Sequence, residues 1–141
     1  MPKIKLTFDL PPVAQARPRA THYGSGIRLY DLSKVAQYKR NLAELCRLQY
    51  HDKPLEGALS LEVVFFRPVQ KSISKIEHAR RVSGAHRPIV KPDLSNYLKS
   101  FEDALNGILW ADDARIVHEG IDKYYSDHPR IEIEVEEEHE E

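Results

Sequence analysis

The length, composition and charge of this chain describe a small globular protein and exclude several classes. Its 141 residues suit a single domain, with 41% apolar residues, 30% charged residues and a formal net charge of −1. No segment approaches the roughly 18 apolar residues that a membrane span needs, and the first residues lack a signal-peptide block. The only cysteine, Cys46, cannot form an internal disulfide, so we expect a cytoplasmic protein.

The charged residues are unevenly spread along the chain. Residues 136–141 contain five glutamates and one histidine, and we expect them to form a frayed acidic tail behind one domain, residues 1–135. Residues 67–91 hold seven Lys or Arg and one acid, Glu77. Such a basic span is either a polyanion-binding surface or a solvated, mobile loop, and the composition is compatible with both.

The first half of the chain predicts two strands and one long helix. Residues 4–10 alternate in polarity as a half-buried strand does, and two prolines end the alternation. A loop or loose hairpin follows, and a helix is predicted from a cap at Asp31 to about Tyr50. The loop is basic because it carries Arg17, Arg19 and Arg28. Residues 59–65 alternate again and predict the second strand.

The second half predicts a short helix, a central helix and two strands. The short helix starts near Ser74, and prolines then keep the approach to Asp93 extended. A strand of about ten residues is predicted after Asp112–Asp113 and a last strand over residues 131–135, and we expect these two to form an antiparallel hairpin. The elements together predict an α+β fold: a small mixed or antiparallel sheet of about four strands with two main helices packed on it.

The central helix, with Asp93 as its cap, separates an apolar face from a polar stripe. At about 100° per residue, one arc of roughly 20–140° collects Leu94, Tyr97, Leu98, Phe101, Ala104, Leu105 and Ile108. A second arc of roughly 240–300° holds Asn96, Lys99 and Asp103, which are neighbours on the helix surface. Gly107 is expected to end the helix.

The aspartates around this helix allow two interpretations. In the first, Asp93 is a helix cap, Asp112–Asp113 are turn residues, and Lys99 and Asp103 form a surface ion pair. In the second, the aspartates bind Mg²⁺, which prefers oxygen ligands. A helix of this length separates Asp93 from the pair by roughly 20 Å. The local pattern therefore brings them together only with an offset in residues 108–112 or a second subunit.

Other catalytic chemistry finds little support in the sequence. The seven histidines are scattered rather than set at zinc-ligand spacing. The chain contains neither a glycine-rich phosphate loop nor a nucleophile elbow. Cys46 lies on the apolar side of the first helix, where a core position explains it. Aspartate-bound Mg²⁺ is thus the chemistry that remains for an enzyme.

The segment KPDLSNYLKSFEDALNGILWADDARIV, residues 91–117, resembles the signature of the RusA family of Holliday-junction resolvases. That signature runs P-D-x-D-N-x-x-K, then D-A-L-N-G, then D-D-x-Q-[IV]. The stretches ARPRAT, PLEGALSLEVVFF and KYYSDHPRIEIEV also look similar to its Gram-positive and phage branch. The resemblance implies a RusA-like fold and a homodimeric endonuclease that uses Mg²⁺, with Mn²⁺ as a substitute, to cut four-way DNA junctions by symmetric nicks.

The resemblance also implies roles for individual residues. Asp93, Asp112 and Asp113 match metal-binding catalytic positions, and Lys99 matches the functional lysine of the family. Supporting positions fall on Ser95, Asn96 and Asp103. Contacts to DNA phosphates are expected from the basic residues Arg17, Arg19, Arg28, Lys71, Lys75, Arg80, Arg81, Arg87 and Lys91.

Two positions depart from the family pattern. Ser95 stands where the family usually has its second aspartate, and Arg115 stands where it often has glutamine. A hydroxyl brings no charge to a metal site, so the metal affinity drops unless another carboxylate compensates. The alternative function is therefore a branched-DNA-binding protein with weak or no cleavage, and a third is a structural protein whose aspartates only cap helices and turns.

Overall fold

The computed structural model of the chain describes residues 3–15 and 25–138, with the side chains of the second range described from residue 33 onward. The predicted DNA contacts Arg17 and Arg19, and the side chain of Arg28, lie outside the described residues. The elements in chain order are β1 (Ile4–Phe8), α1 (Ser25–Gln49), β2 (Leu59–Pro68), α2 (Lys75–Val82), α3 (Leu94–Leu105), a 3₁₀ turn (Asp113–Arg115), β3 (Ile116–Ser126) and β4 (Arg130–Glu137).

The start of α1 differs from the prediction. The helix begins at Ser25, upstream of Asp31, so Asp31 is an interior residue and not the cap. No proline lies between these two positions, and the helix can therefore extend backward without losing a backbone hydrogen bond. The bounds of α2 and α3 agree with the prediction, and Ser74 and Asp93 stand at the N-cap positions, although only Ser74 caps its helix through the side chain.

The strands within the described residues form one mixed sheet with the order β1-β4-β2-β3. Strand β4 is antiparallel to both β1 and β2, whereas β3 is parallel to β2. The predicted α+β architecture is confirmed, because the helices pack on this sheet.

The predicted hairpin of the last two strands is wrong, because β2 lies between them. The register explains the arrangement: Val63 of β2 is opposite Ile133 of β4 and Ile121 of β3. Strand β4 brings alternating buried residues to this central position, whereas β3 brings Glu119 and Lys123 on either side of Ile121. Burial of apolar area therefore favours β4 in the middle of the sheet and β3 at its edge.

The core lies between one face of the sheet and the helices α1 and α3. The predicted apolar face of α3 is largely buried, and Phe101 at its centre is completely so. The Phe101 ring makes edge contacts with Phe8 and Phe65 at 5.9 Å each, and with Trp110 at 6.2 Å between ring centroids. Because this face is fixed in the core, the polar stripe of α3 is turned toward the solvent.

The chain folds back tightly after α3. Gly107 adopts a φ of +79°, which favours glycine, and its N–H donates to the carbonyl of Trp110 at 2.7 Å. Trp110 is completely buried, and its indole Nε1 donates to Asn106 Oδ1 at 2.9 Å. This fold-back, residues 106–111, leads directly to Asp112 and Asp113.

Part of the acidic C-terminal segment belongs to the sheet. Glu136 and Glu137, assigned to the tail by sequence, belong to β4 and pair with Ser60 and Leu59 of β2. The N–H of Glu138 donates to the carbonyl of Ala58 at 2.8 Å. Among the described residues, no helix is both long enough and apolar enough to cross a bilayer.

Candidate active site

Asp93 stands at the N-terminus of α3 without capping it through its side chain. Its backbone is extended (φ −67°, ψ 151°), and its carboxylate accepts no capping hydrogen bond. Its backbone carbonyl accepts from the N–H groups of Asn96 and Tyr97 at 3.1 and 3.2 Å. The capping interpretation therefore loses its main support. The exposed carboxylate is available for another role.

The segment leading to Asp93 is held by side chains from the sheet. Lys123 Nζ donates to the carbonyls of Val90 and Pro92, both at 3.0 Å, and Arg67 Nη1 donates to the carbonyl of Lys91 at 3.0 Å. The Lys91–Pro92 peptide bond is cis. Sequence reasoning missed Lys123 and Arg67 as positioning residues, since their partners are backbone carbonyls that carry no sequence signal.

Asp112 and Asp113 form a pair at the start of the 3₁₀ turn. Asp112 has an extended backbone (φ −160°, ψ 147°) and makes no side-chain capping bond. Burial and a hydrogen bond with Asp112 raise the pKa of Asp113, while the charge of Lys99 opposes the rise. Adjacent carboxylates repel each other, and solvent exposure, a proton or a cation offsets this repulsion.

The polar stripe of α3 lies next to this pair. Lys99 Nζ donates to Asp103 Oδ1 at 3.1 Å, and Lys39 Nζ is 3.5 Å from Asp103 Oδ2. The hydrogen bond to Asp103 raises the pKa of Lys99, with smaller contributions from Asp113 and Glu102. The predicted Lys99–Asp103 ion pair is thus present, and the negative charge of Asp113 also acts on Lys99.

Two glutamates that the sequence analysis did not select complete this group. Glu102 on α3 is only 9% exposed, and its Oε2 has no hydrogen-bond partner. Burial, a hydrogen bond with Glu119 and the charge of Asp113 raise the pKa of Glu102 to about 9. Glu119 is level with Leu61 in the sheet and therefore faces the helices. The sequence offered one signal for Glu119: it stands two residues before Ile121 on β3, and residues two apart on a strand point to the same face of the sheet.

Several of the predicted site residues influence one another, whereas none of these interactions among the described residues includes Asp93. Asp113 interacts electrostatically with Asp112, Asp103 and Lys99, and the charges of Glu102 and Glu119 add to this group. Asp93 is six residues before Lys99, or about 9 Å along the helix axis. Ser95 and Asn96 lie on the turn between them.

The basic span surrounds α2, and several of its basic side chains have partners within the protein. Arg81 bonds Glu77 at 2.7 Å and lies over the ring of Tyr125 at 4.7 Å. Arg87 bonds Asp122 at 2.8 Å and lies over the ring of Tyr124 at 4.1 Å. Among the residues predicted to contact DNA phosphates, those with exposed side chains are Lys71, Lys75, Arg80, Arg87 and Lys91.

A small α+β domain with clustered carboxylates, a neighbouring lysine and a basic surface has the make-up of a DNA-cutting enzyme. The chain matches the family described as Endodeoxyribonuclease RusA over residues 9–136. It is also 34% identical over 136 residues to the uncharacterized protein YqaN of Bacillus subtilis (strain 168), an alignment that covers 95% of this chain and 96% of that protein. The chain therefore belongs to the RusA endodeoxyribonuclease family.

Proposed function

We propose that this protein is a Mg²⁺-dependent endonuclease that resolves four-way DNA junctions in the cytoplasm by paired, symmetric nicks. The observation that carries the proposal is the Asp112–Asp113 pair, in which Asp113 interacts electrostatically with Lys99 of α3 and Asp112 makes no side-chain cap. Family membership supplies the reaction class, because the family cuts DNA internally.

The carboxylates of the site suit a divalent cation. In the described part of the chain, no three His, Cys, Asp or Glu side chains are already arranged as a metal site. Mg²⁺ requires less than that, since it binds through one or two protein carboxylates, waters and substrate phosphates. We assign Asp112 and Asp113 as its ligands, with Asp93 at the start of α3 as a further ligand and Mn²⁺ as a substitute. When bound, the cation polarises the phosphate and lowers the pKa of a water.

The other residues of the site act on the DNA phosphate. Lys99 is exposed, and its ammonium is placed to stabilise negative charge that develops on the phosphate or the leaving oxygen. Asp103 orients that ammonium through the 3.1 Å hydrogen bond. Asn96, on the same stripe, is assigned a supporting role. The exposed lysines and arginines around α2 bind phosphates and carry little sequence information.

Paired nicks require two active sites on one junction, which a homodimer with two-fold symmetry supplies. The test is cleavage of a labelled four-way junction beside a linear duplex of the same sequence, in Mg²⁺. We expect two symmetric nicks in the junction and an uncut duplex, and light scattering should give twice the mass of the chain. Equal cutting of both DNAs would contradict junction resolution, and EDTA-resistant cutting would contradict the metal.

A branched-DNA-binding protein is the second candidate, and Ser95 is the residue that favours it, since it removes a carboxylate that the family usually has at this place. This candidate predicts a gel shift of the junction with a steep dependence on salt and no nick in Mg²⁺. The two candidates therefore differ in the cleavage assay and not in the binding assay.

Lys99→Ala should separate cutting from binding. We expect the single-turnover cleavage rate to fall roughly a hundredfold, because one electrostatic contact to the transition state is lost. Junction affinity in Ca²⁺, measured by gel shift, should change far less, because Lys99 is one of many cations near the DNA. Lys53→Ala, an exposed lysine in the turn before β2, is the control and should cut normally. A loss of affinity that matches the loss of rate would make Lys99 a binding residue only.

A further inference from the structure

The lysine–aspartate pair on α3 has a third member, Lys39, which comes from α1. Lys39 Nζ is 3.5 Å from Asp103 Oδ2, while Lys99 Nζ donates to Asp103 Oδ1 at 3.1 Å. Each oxygen of this one carboxylate therefore faces an ammonium from a different helix. The proposed function uses Lys99 and Asp103 and gives Lys39 no role.

The position of Lys39 is set by the packing of α1 on the core. Lys39 stands four residues after Val35 and three before Leu42, which are both buried, so its stem leaves the core side of the helix. The side chain of Lys39 is 28% exposed, against 59% for Lys99. Lys39 thus stays at the contact between the two helices, whereas Lys99 reaches further into the solvent, where a DNA phosphate can meet it.

The three side chains together carry one positive charge in excess. An ammonium paired with one carboxylate presents little net charge to a phosphate, because the two opposite charges largely cancel at a distance. Lys39 neutralises Asp103 from its second oxygen and so restores a net positive charge at Lys99. This second cation gains importance because the negative charges of Asp113 and Glu102 also act on Lys99.

A purely structural ion pair between α1 and α3 is the other interpretation of Lys39. Partly exposed ion pairs stabilise a protein only a little, since the solvent screens them. Under this interpretation, the loss of Lys39 would leave both folding and cleavage nearly unchanged. A clear loss of cleavage in a protein that stays folded would therefore come from the altered charge around Asp103 and Lys99.

We infer that Lys39 is a positioning residue of the active site. It holds the second oxygen of Asp103, so that Asp103 orients the ammonium of Lys99 without neutralising it. The inference rests on the proposed function, because Lys39 acts on the DNA phosphate through Asp103 and Lys99. It does not require Lys39 itself to contact the DNA.

The test is single-turnover cleavage of the four-way junction in Mg²⁺ by Lys39→Met, which keeps the length of the side chain and removes its charge. We expect the rate to fall roughly tenfold, less than in Lys99→Ala, because Lys39 acts through Asp103. Junction affinity in Ca²⁺ should stay within about threefold, since many other cations bind the phosphates. Lys39→Arg keeps a cation that can bond a carboxylate, so it should retain at least about half of the normal rate.

A double-mutant cycle with Asp103→Asn shows whether Lys39 acts through Asp103. Once the carboxylate is gone, Lys39 has no charge left to neutralise, so the double variant should cut within about twofold of Asp103→Asn alone. A further loss of about tenfold in the double variant would overturn the inference, since Lys39 would then act independently of Asp103. Full activity of Lys39→Met would overturn it as well.

Lys34→Met is the matched control, because it removes the same charge from an exposed position of the same helix. This variant should cut the junction at the normal rate. Thermal unfolding of each variant verifies that it is folded, and Lys39→Gln repeats the test if Lys39→Met unfolds.

Lys99→Ala distinguishes failure of the inference from failure of the proposed function. If Lys99→Ala loses cleavage while Lys39→Met keeps it, the nuclease proposal stands and the role of Lys39 is wrong. If the unaltered chain does not cut the junction in Mg²⁺, both proposals are wrong.

Discussion

Asp113→Asn is expected to reduce junction cleavage by at least about a hundredfold while the protein stays folded. Asp113 is half-buried between Asp112 and the polar stripe of α3, and burial with the Asp112 hydrogen bond raises its pKa. Asparagine keeps the shape of the side chain but cannot become negative, so it cannot compensate a divalent cation as aspartate does. The single-turnover rate in Mg²⁺ with excess protein is the measurement.

Junction binding should respond in the opposite direction. Removing a negative charge beside the DNA phosphates should leave the affinity in Ca²⁺ unchanged or slightly increased. Asp52→Asn, an exposed aspartate in the turn before β2, is the matched control and should cut at the normal rate. Cleavage by Asp113→Asn at more than about a tenth of the normal rate would show that the site is built around other residues.

The sequence predicted α3 and its two faces well because the relevant signals are local. The first residue before the helix, Asp93, the apolar arc around Phe101 and the stop at Gly107 lie within one segment, so local sequence signals locate them. The Lys99–Asp103 pair followed from the same geometry. The meeting of Asp93 with the Asp112–Asp113 pair, through an offset in residues 108–112 or a second subunit, stays a prediction.

Strand pairing and the glutamate pair depend on contacts that are distant in sequence. The position of β4 between β1 and β2 is decided by the burial of residues such as Val63 and Ile133, and not by the short turn after β3. Glu102 falls near 180° on the helix, between the two predicted arcs, so periodicity assigned it to neither. Glu119 affects the pKa of Glu102 because β3 packs beside α3, and this contact between distant segments is not visible in the sequence.

The fold-back at residues 106–111 connects the core with the site, and Trp110 is its anchor. The indole is completely buried, contacts Phe101 at 6.2 Å and donates to Asn106 at 2.9 Å, while the backbone of residue 110 bridges to Leu55. Replacing such a side chain removes a large apolar volume from the core and also frees the segment that positions Asp112 and Asp113. Stability and activity should therefore decline together when this anchor is removed.

Trp110→Ala is expected to lower the free energy of unfolding by about 3–5 kcal/mol, as other large buried aromatic residues do. Trp110→Phe keeps most of the packing and loses the indole hydrogen bond, so its cost should be about 1–2 kcal/mol. Urea unfolding should be followed by circular dichroism, because Trp110 is the only tryptophan of the chain and both variants lose its fluorescence. Trp110→Ala should also cut the junction more slowly than Trp110→Phe where both are folded, since the freed segment carries Asp112 and Asp113. Equal cleavage rates would show that the aspartates are positioned by the 3₁₀ turn and β3 alone.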